Sequence, residues 1–185
     1  KTGKETKFLP GGEIYFAYHE NIGNKSLKRS AILISRSGES TEVIRAGKVF
    51  RKMNIPTLGI TLEPESSLTK ISDVSIVLPF REDSIVMTKS FSGILLSLEL
   101  IASYMMGEGF NTYRKLVQKT PEIIQKMEEI AEENLNFKHY VFLGLGVEEG
   151  IARESALKLE EMSLSKVEAY STFEYRHGPK SLVEE

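Results

Sequence analysis

The sequence predicts an α/β protein in which a parallel sheet is flanked by helices as a three-layer αβα arrangement. Three observations carry that expectation. Short apolar and β-branched runs at residues 31–34, 57–62 and 74–79 are separated by helical periodicity rather than by hairpin turns. The first run ends in a loop of small hydroxyl residues, Ser35-Arg36-Ser37-Gly38-Glu39-Ser40, that opens straight into a helix. A second strand, glycine turn and helix begins near residue 140. Strands joined by helical crossovers lie parallel, and the crossovers cover the faces of their sheet.

In chain order, residues 31–34 give the first strand, and residues 41–53 a helix with Val43, Ile44, Ala46, Val49 and Phe50 on one stripe. Pro56 introduces the strand 57–62, a short helix sits in the polar stretch behind it, and Pro79 bounds the strand 74–79. Residues 89–106 read as a long, mostly apolar helix. A more amphipathic helix is expected from Pro121, placed in its first turn, to about Glu133. These two helices would pack on the sheet or form a subunit interface. Residues 132–138 read as a linker, followed by a strand at 140–143, the turn Gly144-Leu145-Gly146, a helix at 148–163 and a strand at 165–172. Residues 173–176 then give a helical turn closed by His177-Gly178-Pro179.

With 185 residues and 41% apolar composition, the chain can bury a sizeable core as one large or two small domains. Its 24 basic and 26 acidic side chains are interspersed, with a net charge of −2, so nucleic acid is not an expected partner. The absence of cysteine excludes disulfides, thiolate metal sites and thiol nucleophiles. The first residues lack the apolar core of a signal peptide, and Ser97, Glu99 and Ser103 interrupt the longest apolar segment. A cytoplasmic location without membrane association is therefore expected. Because the chain starts without methionine and stops just after a candidate site motif, it reads as part of a longer protein.

Ser35, Ser37 and Ser40 around Gly38, at the start of a helix, suit a phosphate monoester. Such a ligand needs converging donors, and this loop offers hydroxyls, backbone N–H groups and the positive end of a helix dipole. A plain N-cap cluster with Ser40 or Thr41 as cap fits the same residues. The loop is neither a nucleotide P-loop nor a nucleophile elbow, since both require glycines that are missing. Gly144-Leu145-Gly146 with Gly150 resembles a dinucleotide fingerprint in the wrong spacing, and a tight turn explains it equally well.

Glu154, Lys158 and Glu161 follow one another at four and three residues and share a helix face beside Ile151, Leu159 and Met162. They form either a surface ion-pair ladder or a proton-transfer group. In the second case the apolar stripe partly desolvates Glu161 and raises its pKa, while Lys158 stabilises an enediolate or a phosphate. His177 in its turn is either a capped turn residue or a shuttle for a ring-hydroxyl proton. His19, His139 and His177 lie far apart in sequence, no metal-ligand spacing is present, and no metal or other cofactor is expected.

Three ordered blocks resemble the sugar isomerase (SIS) family: ISRSGESTEV at 34–43, EDSIVMTKSF at 82–91, and ESALKLEEMSLSKVEAYSTFEYRHGP at 154–179. The likeness is greatest to the stand-alone glucosamine-6-phosphate deaminases and to the isomerase half of glutamine–fructose-6-phosphate aminotransferases. It implies that Ser35, Arg36, Ser37 and Ser40 hold the sugar phosphate and that Ile85, Met87, Thr88 and Lys89 line the sugar. It places the base for C1–C2 proton transfer at Glu161, the ring-opening histidine at His177 and an assisting lysine at Lys158. The fold it implies is a pair of SIS units, here residues 1–135 without their first strand and helix and residues 136–185 as the start of the second. Family members usually form homodimers in which the histidine crosses into the partner's site.

Arg36 stands where the family has glutamine, Ser40 where it has threonine, and Met87 where the aminotransferases have a small hydroxyl residue. The wording of the second and third blocks and the lack of a cysteine amidotransferase domain favour conversion of glucosamine-6-phosphate and water to fructose-6-phosphate and ammonia. The alternatives are the isomerase half of an aminotransferase, another phosphosugar isomerase, and a non-catalytic sugar-phosphate sensor.

Overall fold

The computed structural model describes residues 3–22 and 28–182. They fall into two compact units, Lys1–Asp83 with Lys89–Glu108, and Ser84–Thr88 with Gly109–Glu185.

The first unit runs α1 (Gly11–Phe16), α2 (Tyr18–Ile22), β1 (Ala31–Ile34), α3 (Thr41–Lys52), β2 (Thr57–Thr61), α4 (Ser67–Ile71), β3 (Val74–Val77) and α5 (Lys89–Met105). The strands form a parallel sheet in the order β1-β2-β3. Ala31 aligns with Thr57 and Leu58 with Val74. The expected α/β class with parallel strands and helical crossovers is therefore observed.

Burial follows the sequence pattern. Along β1, Leu33 is buried while its neighbours Ile32 and Ile34 are exposed, the alternation of a strand with two unlike faces. Leu33 joins Ala46 and Phe50 of α3, Leu68 of α4, and Ile14 and Ile22 of α1 and α2 in one core cluster. Each large apolar side chain there contributes about 1.5–3 kcal/mol by leaving water. Glu42 in the first turn of α3 and Arg51 and Lys52 in its last turn complement the helix dipole. Nothing in the periodicity of residues 11–22 announces α1 and α2. Their two short turns form because Ile14 and Ile22 reach this core, which outweighs the poor helix propensity of Gly11 and Gly12.

The second unit contains α6 (Asn111–Glu133), β4 (His139–Gly144), α7 (Glu148–Ser163), β5 (Lys166–Ser171) and the 3-10 turns Glu174–His177 and Pro179–Leu182. Strands β4 and β5 pair in parallel from His139 opposite Lys166 to Gly144 opposite Ser171, and α7 connects them as a β-α-β unit. One boundary differs from expectation by more than two residues. Helix α6 begins ten residues before Pro121, which lies inside it rather than in its first turn. A proline there removes one backbone donor and leaves the carbonyl of Val117 without its helical partner. Val117 is 64% exposed, so water can take over that carbonyl. Thr120 Oγ1 also donates to the carbonyl of Leu116 at 3.1 Å.

The buried face of α7 differs too. Ala152 and Ala156 are its buried residues, whereas Ile151 and Met162 of the expected apolar stripe are 49% and 66% exposed. The β4–α7 turn ahead of this helix is close. A Cβ on Gly144 would collide with the carbonyl oxygen of Glu148. The tight-turn reading of Gly144-Leu145-Gly146 thus has a direct steric cause.

Candidate active site

The loop 35–40 is built where β1 ends beside the middle strand of its sheet. Ser35 continues the ladder by donating its N–H to the carbonyl of Ile60 at 3.1 Å, and the chain turns as Gly38 N–H bonds the carbonyl of Ser35. Gly38 has φ +66°, and a Cβ on it would collide with Ser66 Oγ. Both conformation and space therefore demand glycine. The buried Ser35 and the exposed Ser40 bring their hydroxyls to 2.8 Å, closing the loop across its mouth. Ser37 Oγ accepts from the N–H of Glu39 at 3.2 Å and is itself exposed.

The carbonyl of Arg36 accepts from Leu62 N–H and from the buried Thr61 Oγ1, each at 3.0 Å, which pins the middle of the loop to the end of β2. The Glu39 carboxylate accepts from Ser67 N–H at 2.7 Å, and this bond holds its pKa below the usual carboxylate range. Ser40 occupies the N-cap of α3 without a side-chain cap bond, its hydroxyl being turned to Ser35. Four expected phosphate residues, Ser35, Arg36, Ser37 and Ser40, thus share one fixed loop at a helix start.

Sequence spacing did not reveal the partner of Arg36. Its guanidinium lies 3.9 Å from the carboxylate of Glu82, whose side chain is 4% exposed. Glu82 also accepts from the N–H of Lys89 at 2.7 Å and of Ser90 at 3.1 Å, and from the Ser90 hydroxyl. Of the expected sugar-lining residues, Lys89 begins α5 with its ammonium 5.4 Å from the centre of the Phe80 ring. Ile85, Met87 and Thr88 belong to the second unit, where Ile85 is 93% exposed, Thr88 is exposed and Met87 is half-buried.

On α7, Lys158 donates to Glu161 at 2.7 Å and lies 3.4 Å from Glu154, so the helical spacing does create a three-residue ionic cluster. Burial pulls the Lys158 pKa down, but the hydrogen bond to Glu161 and the charge of Glu154 outweigh it and raise the value above that of an ordinary lysine. Lys158 is consequently a fixed cation at neutral pH, suited to stabilising negative charge and not to taking a proton. The partial desolvation of Glu161 supposed by the proton-transfer alternative is not observed. Its side chain is 38% exposed and its close polar neighbour is the Lys158 ammonium, while of the stripe residues Ile151 and Met162 are exposed and Leu159 is half-buried.

His177 ends the 3-10 turn after β5 and is exposed. Among the described residues, no hydrogen bond or ion pair joins it to Lys158 or Glu161. A separate polar group lies on the β4–β5 sheet. His139 Nε2 and Glu168 are 2.7 Å apart, and Tyr170 donates to the other Glu168 oxygen at 2.8 Å. Hydrogen bonds from Tyr170 and His139 depress the Glu168 pKa. Among the described residues no three acidic or histidine side chains converge as metal ligands. No helix there is long and apolar enough to cross a membrane.

Residues 15–105 match the SIS domain family. The chain is 30% identical to glutamine–fructose-6-phosphate aminotransferase of Caldanaerobacter subterraneus subsp. tengcongensis across 92% of its own length, and spans 30% of that relative. Its structure resembles glucosamine-6-phosphate deaminase from Thermotoga maritima, with 45% identity and TM-score 0.86, over 95% of this chain and 55% of that one. It also resembles tagatose-6-phosphate ketose/aldose isomerase from Escherichia coli, with 25% identity and TM-score 0.82, over 99% of this chain and 53% of that one.

Proposed function

The chain carries a domain of the SIS family, and on that premise we propose that it belongs to an amino-sugar-phosphate isomerase that converts glucosamine-6-phosphate and water to fructose-6-phosphate and ammonia. The observation that carries this reading is the 45% identity to a glucosamine-6-phosphate deaminase across 95% of the chain. The loop and the α7 cluster supply groups suited to it.

In this reading the substrate phosphate sits on Ser35, Arg36, Ser37 and Ser40, and His177 returns a proton to the ring oxygen as the pyranose opens. Glu161 removes the proton from C2. The electron pair moves into the C1–C2 bond to give an enolamine, whose developing oxyanion is stabilised by the Lys158 ammonium. Glu161 then delivers the proton to C1. The resulting C2 imine takes up water and expels ammonia, leaving the C2 ketone of fructose-6-phosphate. Carbon oxidation levels change only by this internal transfer, so the sequence of steps needs no redox cofactor. Ile85, Met87, Thr88 and Lys89 line the sugar, the working unit is a homodimer sharing its sites, and the setting is cytoplasmic.

Similarity to the aminotransferases supports a second reading, in which the same residues run the isomerisation in the amination direction with supplied ammonia. Release of ammonia and fructose-6-phosphate from glucosamine-6-phosphate tests the choice, using full-length protein and its Glu161→Gln variant. Release that is lost in the variant supports the deaminase. Binding of the sugar phosphate with no turnover in the wild type overturns it in favour of a sensor or another isomerase.

A further inference from the structure

Glu82 is a nearly buried carboxylate that the proposed chemistry does not use. Burying a charge is costly unless charge-assisted hydrogen bonds replace its water. Glu82 meets that requirement at the start of α5, where Lys89 N–H, Ser90 N–H and the fully buried Ser90 hydroxyl all donate to it. These donors and the positive end of the α5 dipole already suit its negative charge. The contact with Arg36 is therefore additional, and at 3.9 Å it is longer than a hydrogen bond.

A long contact between a fixed anion and a cation on a long side chain orients more than it binds. The backbone of Arg36 is anchored by the two 3.0 Å bonds to its carbonyl from the end of β2. Its long side chain extends from that anchor in a loop whose members Ser37 and Ser40 are exposed. Any arginine loses rotamer entropy when its guanidinium is fixed on a ligand. A carboxylate beside the guanidinium, rigidly held by a second element, reduces that loss before the ligand arrives. Because the charge of Glu82 is largely directed at the α5 amides, it opposes an incoming anion less than an unpaired carboxylate would.

We propose that Glu82 is a positioning residue, which holds the Arg36 guanidinium at the loop 35–40 and thereby ties anion affinity in that loop to the N-terminus of α5. This deepens the proposed function and rests on its assignment of the loop to a phosphate.

The test is a double-mutant cycle on full-length protein, with inorganic phosphate as the probe and its dissociation constant as the readout. Glu82→Gln keeps the shape and removes the charge; it weakens phosphate about tenfold, within the range of coupled neighbouring groups. Arg36→Gln weakens phosphate by at least as much. The double variant binds as Arg36→Gln does, because Glu82 acts through Arg36. A merely structural role for Glu82 gives multiplicative losses instead, and that outcome overturns the proposal while leaving the phosphate loop intact. Glu82→Asp, alone and with Arg36→Gln, repeats the cycle with the charge kept and the reach shortened, should the glutamine variant not fold. Wild-type protein that binds no phosphate overturns the loop assignment itself, and the positioning role with it.

Discussion

The hydroxyls of Ser35 and Ser40 meet at 2.8 Å, one at the end of β1 and the other at the N-cap of α3. This bond diverts the Ser40 hydroxyl from the capping role its position invites and turns it across the loop mouth. The loop is thus closed by its own side chains, and the turn at Gly38 beneath them sets where those side chains meet. Mutating Ser40 to alanine removes a hydroxyl from the mouth and leaves the turn; changing Gly38 alters the turn itself.

Gly38→Ala is expected to damage both stability and anion binding. An alanine at φ +66° costs about 1–2 kcal/mol from conformation alone. Its Cβ also collides with the hydroxyl of the buried Ser66, so α4 has to move away. Urea unfolding together with phosphate titration checks this. A variant with wild-type stability and phosphate affinity would show that the loop can relax without consequence.

The α7 cluster predicts a separation of binding from chemistry. Glu161→Gln should lower kcat about 10²- to 10⁴-fold by removing the proton carrier. Lys158→Met should lower it about 10²- to 10³-fold by removing a preorganised charge. The loop lies in the other unit and keeps all its own residues, so the affinity for inorganic phosphate should stay at the wild-type value. Steady-state kinetics beside phosphate titration decides the matter, and equal losses in kcat and phosphate affinity would argue for a structural role of the ladder.

Asp73 predicts a specific acid limb. Its carboxylate accepts from Thr57 N–H at 2.7 Å and Thr57 Oγ1 at 2.9 Å, and these bonds, the backbone one foremost, hold its pKa below the usual range. A folded pKa below the unfolded value of about 3.9 means that protons favour the unfolded chain. The stabilisation is therefore present above the unfolded pKa and is lost as pH falls through the folded one. Asp73→Asn should be less stable than wild type at neutral pH, with the gap closing under acid. Glu39 and Glu168 are depressed in the same direction, so the difference between the two proteins isolates Asp73. Urea midpoints measured from about pH 7 to pH 3 follow it, and a gap that does not change with pH would remove Asp73 as the source.

Regular elements were legible wherever one local rule decided them. The β1 run and the α7 periodicity end where the sequence says, because strand alternation and the turns that follow are encoded in adjacent residues. Pro121 misled for a physical reason: a proline normally marks a first turn, yet an exposed helix can lose one backbone bond to water and continue. The loop 35–40 was visible as a cluster of hydroxyls, and the ladder of Glu154, Lys158 and Glu161 as a helical spacing. Glu82 was not visible as the neighbour of Arg36, since no spacing rule links two loops that meet only through the sheet and the start of α5. The surroundings of Glu161 stayed open between an ion-pair ladder and an apolar edge, because spacing does not show that the small residues Ala152 and Ala156 set the buried face of α7.

His177 leads to the last prediction. It stands exposed at the end of its turn, and among the described residues it makes no polar link to Lys158 or Glu161, although the proposed reaction needs all three at one sugar. A homodimer in which each copy lends its histidine to the other's site reconciles these demands, and it makes the two residues separable by subunit. Full-length protein with Glu161→Gln and full-length protein with His177→Asn should each be inactive in ammonia release. After the two are unfolded together and refolded, mixed dimers should contain one site with both native groups and recover activity that neither variant has alone. Continued inactivity, with mixed dimers demonstrated by differential tagging, would place His177 and Glu161 of one chain in the same site.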